Sequence, residues 1–232
     1  MKIAIMQPYF MPYIGYFQLI NVADKFVILD DVNYIKKGWI NRNNILINKK
    51  SYLFVLPLQK VSQNKNINEI KILDSYKWKS DLLKTISESY KKAPFYSDVY
   101  PLIEKIINYD QNNLVSYIKY SIVEICNYLK INTEILISSE IEKNNELKGE
   151  KKIVDICSLL NSKTYINPIG GIELYNRSYF SKYNLKLQFL KTDNLVYEQF
   201  KNEFIPWLSI IDVIMFNSID DTQKMLTKFE LV

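Results

Sequence analysis

The first thirty residues limit the fold more than any other stretch of the chain. Lys2 to Met6 is a short apolar run stopped by Gln7-Pro8, which reads as a strand. Pro12 to Ala23 follows with Ile14, Phe17, Ile20 and Val22 at non-alternating positions, and Pro12 suits a first helical turn, so a helix is expected there. Phe26-Val27-Ile28-Leu29 is then a continuous apolar run ending in Asp30-Asp31, the pattern of a strand covered on both faces. Strand, helix and strand in so short a span make a βαβ unit, whose handedness and length imply parallel pairing.

The remaining pattern extends this unit to an α/β fold. Asn44–Ile47 and Ser51–Leu58 flank Asn48-Lys49-Lys50 and read as a hairpin inserted after the second strand. Glu69 to Leu73 is a further short strand candidate. Helical spacing dominates the middle, with Trp78, Leu82, Leu83, Ile86 and Tyr90, then Leu102 to Ile107, then Leu114 to Leu129. Strands are expected at Glu134–Ile137, Thr164–Ile166 and Lys186–Leu190. Between the first two of these lie a charged loop and a helix carrying Ile153, Ile156, Cys157 and Leu160. Pro206 to Phe216 reads as an apolar helix opened by its proline, and Asp220 as the cap of a last short helix. The expectation is one domain over residues 1–232. It has a mostly parallel sheet flanked by helices in a Rossmann-like core, a hairpin insertion and a helical subdomain around 75–130.

Composition removes several chemistries. The chain has no histidine, which excludes a Ser-His-Asp triad, a Cys-His pair and imidazole-ligated metals. Its two cysteines, Cys126 and Cys157, fall on apolar helical stripes and read as core thiols; two alone cannot build a structural zinc site. A net charge of +5 suits an anionic ligand such as a sugar nucleotide but falls short of a DNA-binding footprint. The N-terminal apolar run is too short for a signal peptide, and no run approaches the ~20 residues that span a bilayer. A cytoplasmic protein without membrane insertion is expected.

In an open α/β sheet the ligand lies beyond the carboxyl ends of the strands. The first strand delivers Gln7 there, and the following helix opens with Tyr13, Gly15, Tyr16 and Gln18. Such a helix start is suited to anions, and Gly15 allows either a close approach or tight packing on the sheet. The second strand delivers Asp30 and Asp31, followed by Tyr34, Lys36, Lys37, Trp39, Asn41 and Arg42. Two carboxylates, three cations and an indole within thirteen residues are more than a solvated loop requires. Lys36, Lys37 and Arg42 are candidates to hold phosphates and Trp39 to stack on a ring. Asp30 or Asp31 is a candidate general base or magnesium ligand, one of the two facing the ligand. Gly170 and Gly171 follow a later strand and form either a ligand cradle or a turn. Tyr175, Tyr197 and Gln199 either line the site or pack. Asp212, alone in an apolar helix, is expected to bond that helix to a loop.

The blocks Gln7-Pro8-Tyr9-Phe10-Met11-Pro12-Tyr13-Ile14-Gly15-Tyr16-Phe17-Gln18, Leu29-Asp30-Asp31-Val32, and Gly38-Trp39-Ile40-Asn41-Arg42-Asn43 resemble the signatures of the WbqC-like family, as does Leu208-Ser209-Ile210-Ile211-Asp212. That resemblance implies a role in bacterial O-antigen and related surface-polysaccharide biosynthesis. It suggests an acyl or aminoacyl (for example glycyl) transferase that forms an amide on a nucleotide-linked amino sugar, with a carrier protein, coenzyme A or an aminoacyl-tRNA as donor. Tyr13-Ile14-Gly15-Tyr16 after a strand and a proline also resembles, more distantly, nucleotidyltransferases of the HIGH superfamily. This implies a HUP-like core and, as an alternative, magnesium-dependent chemistry on a nucleoside triphosphate. Two histidines flank the glycine in that superfamily; here two phenols stand in their places, each able to donate one hydrogen bond but not to carry the imidazolium charge. A non-catalytic sugar-nucleotide-binding subunit is the third reading.

Overall fold

A computed structural model describes all residues from Met1 to Val232. Its centre is a six-stranded sheet in the order β10-β9-β8-β1-β2-β7. The strands are β1 (Lys2–Met6), β2 (Lys25–Ile28), β7 (Glu134–Ile137), β8 (Thr164–Pro168), β9 (Lys186–Thr192) and β10 (Phe229–Leu231). All neighbours pair parallel except β10, which closes one edge antiparallel to β9. The expected α/β fold with a mostly parallel sheet is present. The first two strands pair in parallel, Ile3 opposite Lys25 and Met6 opposite Ile28.

The apolar run of β2 is buried on both faces because side chains alternate across the sheet. Ile3, Ile5 and Val27 pack on one face with Ile153, Ile156 and Cys157 of α5 (Gly149–Leu159) and with Phe180. Ala4, Phe26 and Ile28 pack on the other, in a core continuous with α1 (Ile14–Val22) and α4 (Leu114–Tyr128). Every residue of α1 from Ile14 to Ile20 is buried, as expected of a helix apolar all round and lying between a sheet and other helices. Gln18 is the polar exception: its amide donates to the carbonyls of Met225 (2.8 Å) and Lys228 (2.9 Å), tying α1 to the chain just before β10. Helices α2 (Tyr76–Tyr90), α3 (Tyr96–Ile107) and α4 contribute to the same large core as this sheet face.

The hairpin insertion is β3 (Arg42–Ile47) with β4 (Lys50–Val55), turning through Asn48 and Lys49, both at positive φ. A second small pair joins β5 (Leu58–Gln59) to β6 (Lys71–Ile72). Two local expectations are corrected, and one strand lies outside the sequence reading. The helix expected from Pro206 begins only at α7 (Ile210–Phe216), because Trp207 is at φ 62° and Ser209 caps the first turn by accepting from the Ile211 N–H. Helix α8 (Ile219–Leu226) is capped by Ser218, accepting from the Asp221 N–H at 3.1 Å, while Asp220 lies in the first turn. Strand β10, three residues long, carries too little pattern to be seen in sequence.

Strand order positions the site. From β1 the chain crosses to β2 through α1 on one face. The crossover from β7 to β8 runs through α5 on the opposite face. On leaving β8 the chain turns to α6 (Arg177–Ser181), whose Phe180 packs on that opposite face, so the connections diverge at the carboxyl ends of β1 and β8, where open α/β sheets take ligands.

Candidate active site

The turn from β1 to α1 is clamped from three directions. The Phe10 N–H donates to the Ile40 carbonyl at 2.9 Å, and the Asn43 amide and the Ser209 hydroxyl both donate to the Met11 carbonyl at 2.7 Å. Met11 sits at φ 47°, a costly conformation for a side-chain-bearing residue, and these two bonds hold it there. The Ile210 N–H, which donates to Pro12 at 2.8 Å, completes the fixation.

This rigid turn presents Tyr13 to a cavity of about 440 Å3. Tyr13 and Ile14 form one wall, Lys191 to Leu195 at the end of β9 another, and Pro206 to Leu208 a third. The Tyr13 hydroxyl lies 3.2 Å from Thr192 Oγ1, and its ring meets Trp207 at 5.6 Å between centroids. Gly15 is what allows this. A Cβ there would stand 2.0 Å from the Tyr13 hydroxyl and 2.8 Å from Thr192 Oγ1, so the close approach at Gly15 is by the tyrosine two residues before it. Tyr16, one turn in, faces the other way: its ring is buried against Phe26 and its hydroxyl donates to the Gln7 carbonyl at 2.9 Å. Burial, with Tyr9 beside it, pushes that phenol well above its ordinary range. Of the sequence candidates, Tyr13 and Tyr197 line this cavity.

The two aspartates after β2 both bond within the protein. Asp30 is 1 % exposed and accepts from Ser139 twice, from the backbone N–H at 2.9 Å and the hydroxyl at 2.6 Å. Asp31 Oδ2 lies 2.9 Å from both Lys143 Nζ and Lys152 Nζ, and Lys152 also donates to the Asp31 carbonyl. Burial raises the Asp31 carboxyl, but the two lysine ammonium groups outweigh it and hold it below the usual carboxylate range. This cluster of two cations and one anion fastens the charged segment after β7 and the first turns of α5 to the end of β2. Asp31 Oδ1 and Ser138 Oγ are buried in the same region without hydrogen-bond partners.

The loop from Val32 to Asn41 lies beside the β1–α1 turn through the Phe10–Ile40 bond. Tyr34 is buried and donates to Asn41 (2.8 Å), whose amide donates to the Leu56 carbonyl (2.7 Å); both serve the loop's own structure. Arg42 donates through Nε to the Gly38 carbonyl at 2.9 Å and stands 5.7 Å over the Trp39 ring. Trp39 is 48 % exposed, and Lys36 and Lys37 point into solvent. At the end of β8, Gly171 is buried because Asn167 packs where its Cβ would be, at 2.0 Å, whereas Gly170 faces open space.

Asp212 bonds helix to loop, as its place in an apolar stripe suggests. It accepts from Tyr197 (2.7 Å) and Gln199 (2.6 Å) of the loop and from Tyr90 of α2 (2.8 Å). Burial nevertheless pushes its carboxyl up, against those three bonds. Tyr197 thereby anchors the cavity wall it helps to form. Both cysteines are buried, and burial pushes each thiol up to about 12.

Sequence reading missed Thr192, Trp207, Lys143 and Lys152. Lys152 carried a signal, since it stands four residues before Ile156 on the buried stripe of α5. Thr192 and Trp207 carried none, because only the fold brings them to Tyr13.

No helix is long and apolar enough to cross a membrane. The chain is similar to Rv1507c of Mycobacterium tuberculosis, an uncharacterized protein, with 25 % identity over 219 residues covering 93 % of each chain. No solved structure matches it. The WbqC-like protein family matches residues 7–224, a span that includes the β1–α1 turn, the loop after β2 and the Trp207 segment. The chain belongs to the WbqC-like protein family.

Proposed function

We propose that this protein is an enzyme of bacterial surface-polysaccharide sugar biosynthesis that binds a nucleotide-linked amino sugar and transfers an acyl or aminoacyl group to its amine. The observation that carries this reading is the strand order. It puts a topological switch point between β1 and β8, the place where doubly wound sheets take nucleotides. The cavity beside Tyr13 lies along the same carboxyl edge. In the reaction the sugar nitrogen bonds to the acyl carbon, and the bond from that carbon to its thiol or alcohol carrier breaks. Nitrogen attacks as the neutral amine, its ammonium form first releasing one proton to water; the second proton lost by nitrogen goes to the departing group, directly or through water. With Asp30 and Asp31 held by Ser139 and by two lysines, their part is to fix the edge of the site rather than to take that proton. Tyr13 is assigned the stabilising donor: its hydroxyl and Thr192 Oγ1 can each donate in the bond they share, and when Thr192 donates the phenol proton serves a developing oxyanion.

The test is mass spectrometry of products when the purified protein is given a nucleotide-linked amino sugar with, in turn, an acyl coenzyme A, an acyl carrier protein and an aminoacyl-tRNA. An acylated sugar nucleotide is expected with one donor, slowed about 10²-fold by Tyr13→Phe. No product with any donor removes the reading.

A nucleotidyltransferase is the second reading, favoured by the place of Tyr13-Ile14-Gly15-Tyr16 at the start of α1, directly after β1. It predicts magnesium-dependent release of pyrophosphate from a nucleoside triphosphate. Its weakness is that Tyr16 is buried against Phe26, leaving one phenol open to a ligand.

A further inference from the structure

We propose that the cavity beside Tyr13 seats a positively charged, ring-shaped group, the amine-bearing sugar of the substrate, and that the phosphates of the nucleotide lie outside it. Three observations converge on this. The first is the wall. Tyr13, Tyr197, Phe204 and Trp207 all line the cavity, and Trp207 is 69 % exposed although it is the largest side chain there. Aromatic faces left open to water suit the apolar face of a sugar ring and attract a cation.

The second is charge. Asp193 and Glu230 line the cavity, and Lys191 is the one cation of the lining. Lys191 is 3.7 Å from Glu230, which leaves Asp193 uncompensated and the lining net negative. A cleft of that sign concentrates an ammonium group and repels phosphate. The free cations of the candidate loop, Lys36 and Lys37, do not line it.

The third is backbone strain. Trp207 is held at φ 62°, a region that a bulky residue adopts only when its surroundings compel it. The neighbouring Ser209 bonds explain why the segment is rigid, since its N–H donates to Asn44 and its hydroxyl to Met11. They do not explain an indole displayed to solvent beside Tyr13. A ligand ring between Trp207 and the Asp193 segment does. Naming the cation an amino sugar rests on the function proposed above; the sign and aromatic character of the cavity do not.

The experiment is saturation-transfer NMR with three small probes: methyl glucosaminide, methyl glucoside and inorganic phosphate. It uses the full-length protein and the variants Trp207→Ala and Asp193→Asn, with thermal melts confirming that the variants fold; both positions are exposed. The wild type is expected to bind the amine at least tenfold better than the neutral sugar, with no competition from phosphate. Asp193→Asn is expected to bring that preference close to one, and Trp207→Ala to weaken both sugars at least fivefold. Equal binding of the two sugars, displacement by phosphate, or unchanged binding in a folded Trp207→Ala protein overturns the proposal. The two readings fail separately. Amine preference without any acyl transfer defeats the proposed reaction and leaves the cavity assignment standing. Acyl transfer undiminished in both variants does the reverse.

Discussion

Replacing Gly15 by alanine should disturb the site while leaving the fold almost untouched. The added Cβ would lie 2.0 Å from the Tyr13 hydroxyl, where ordinary contact begins at 3.4 Å, so the phenol must retreat by about 1.4 Å. Its contacts are the tips of two rotatable side chains, Tyr13 and Thr192, so backbone need not move. The Tyr13–Thr192 hydrogen bond is lost, at roughly 0.5–1.5 kcal/mol. Alanine recovers up to ~1 kcal/mol of helix propensity in α1. The net change should stay within about 1 kcal/mol, a Tm shift of roughly 2–4 °C for a chain of this size. The displaced ring is part of the cavity wall, so stabilisation by an amino-sugar nucleotide in a thermal-shift assay should fall strongly. A Tm loss above about 8 °C would mean that Gly15 serves the packing of α1 on the sheet. An undiminished ligand response would mean that the Tyr13 ring is no part of the site.

Other outcomes follow from the same contacts. Tyr16→Phe removes only the bond to the Gln7 carbonyl and should cost about 1 kcal/mol of stability with turnover retained, whereas Tyr13→Phe should slow turnover with stability retained; denaturant melts and product assays separate them. Asp31→Ala leaves Lys143, whose side chain is 0 % exposed, and Lys152 without their anion and should cost about 3–5 kcal/mol by urea unfolding. The Asp31 carboxyl is held below its ordinary value of 3.8, so its contribution is complete above that pH and is lost as pH falls through the lower folded-state value; the acid limb of a stability–pH curve should flatten in the variant. Asp212→Ala strands the donors of Tyr90, Tyr197 and Gln199 and should cost about 2–4 kcal/mol. The Asp212 carboxyl lies above its ordinary value, so the native state holds its proton more tightly; this group's contribution therefore weakens as pH rises from about 4 through the folded-state value, opposite in sign to Asp31.

Much of the fold was legible because its signals are local. Pro8 stops β1, the unbroken run Phe26–Leu29 marks a strand covered on both faces, and the stripes of α2 to α5 repeat at helical spacing. Cys126 and Cys157 sit on such stripes and are buried as expected. The site was less legible. The density of charge after Asp30 pointed to a ligand, yet the structure uses much of it internally, with Asp30 on Ser139, Asp31 on two lysines and Arg42 on Gly38 and Trp39. Composition near a strand end reveals polar groups but not which of them are already satisfied.

The sequence by itself determined the α/β class and the parallel start of the sheet, since each is written in spacing over a few residues. Only the tertiary structure decided what Tyr13 faces. Thr192 lies 179 residues away along the chain, and it reaches the phenol because β8 and β9 add to the sheet on the far side of β1 from β2. Strand order is set by how two helical layers bury a common sheet, a property of the assembled core that no local pattern encodes.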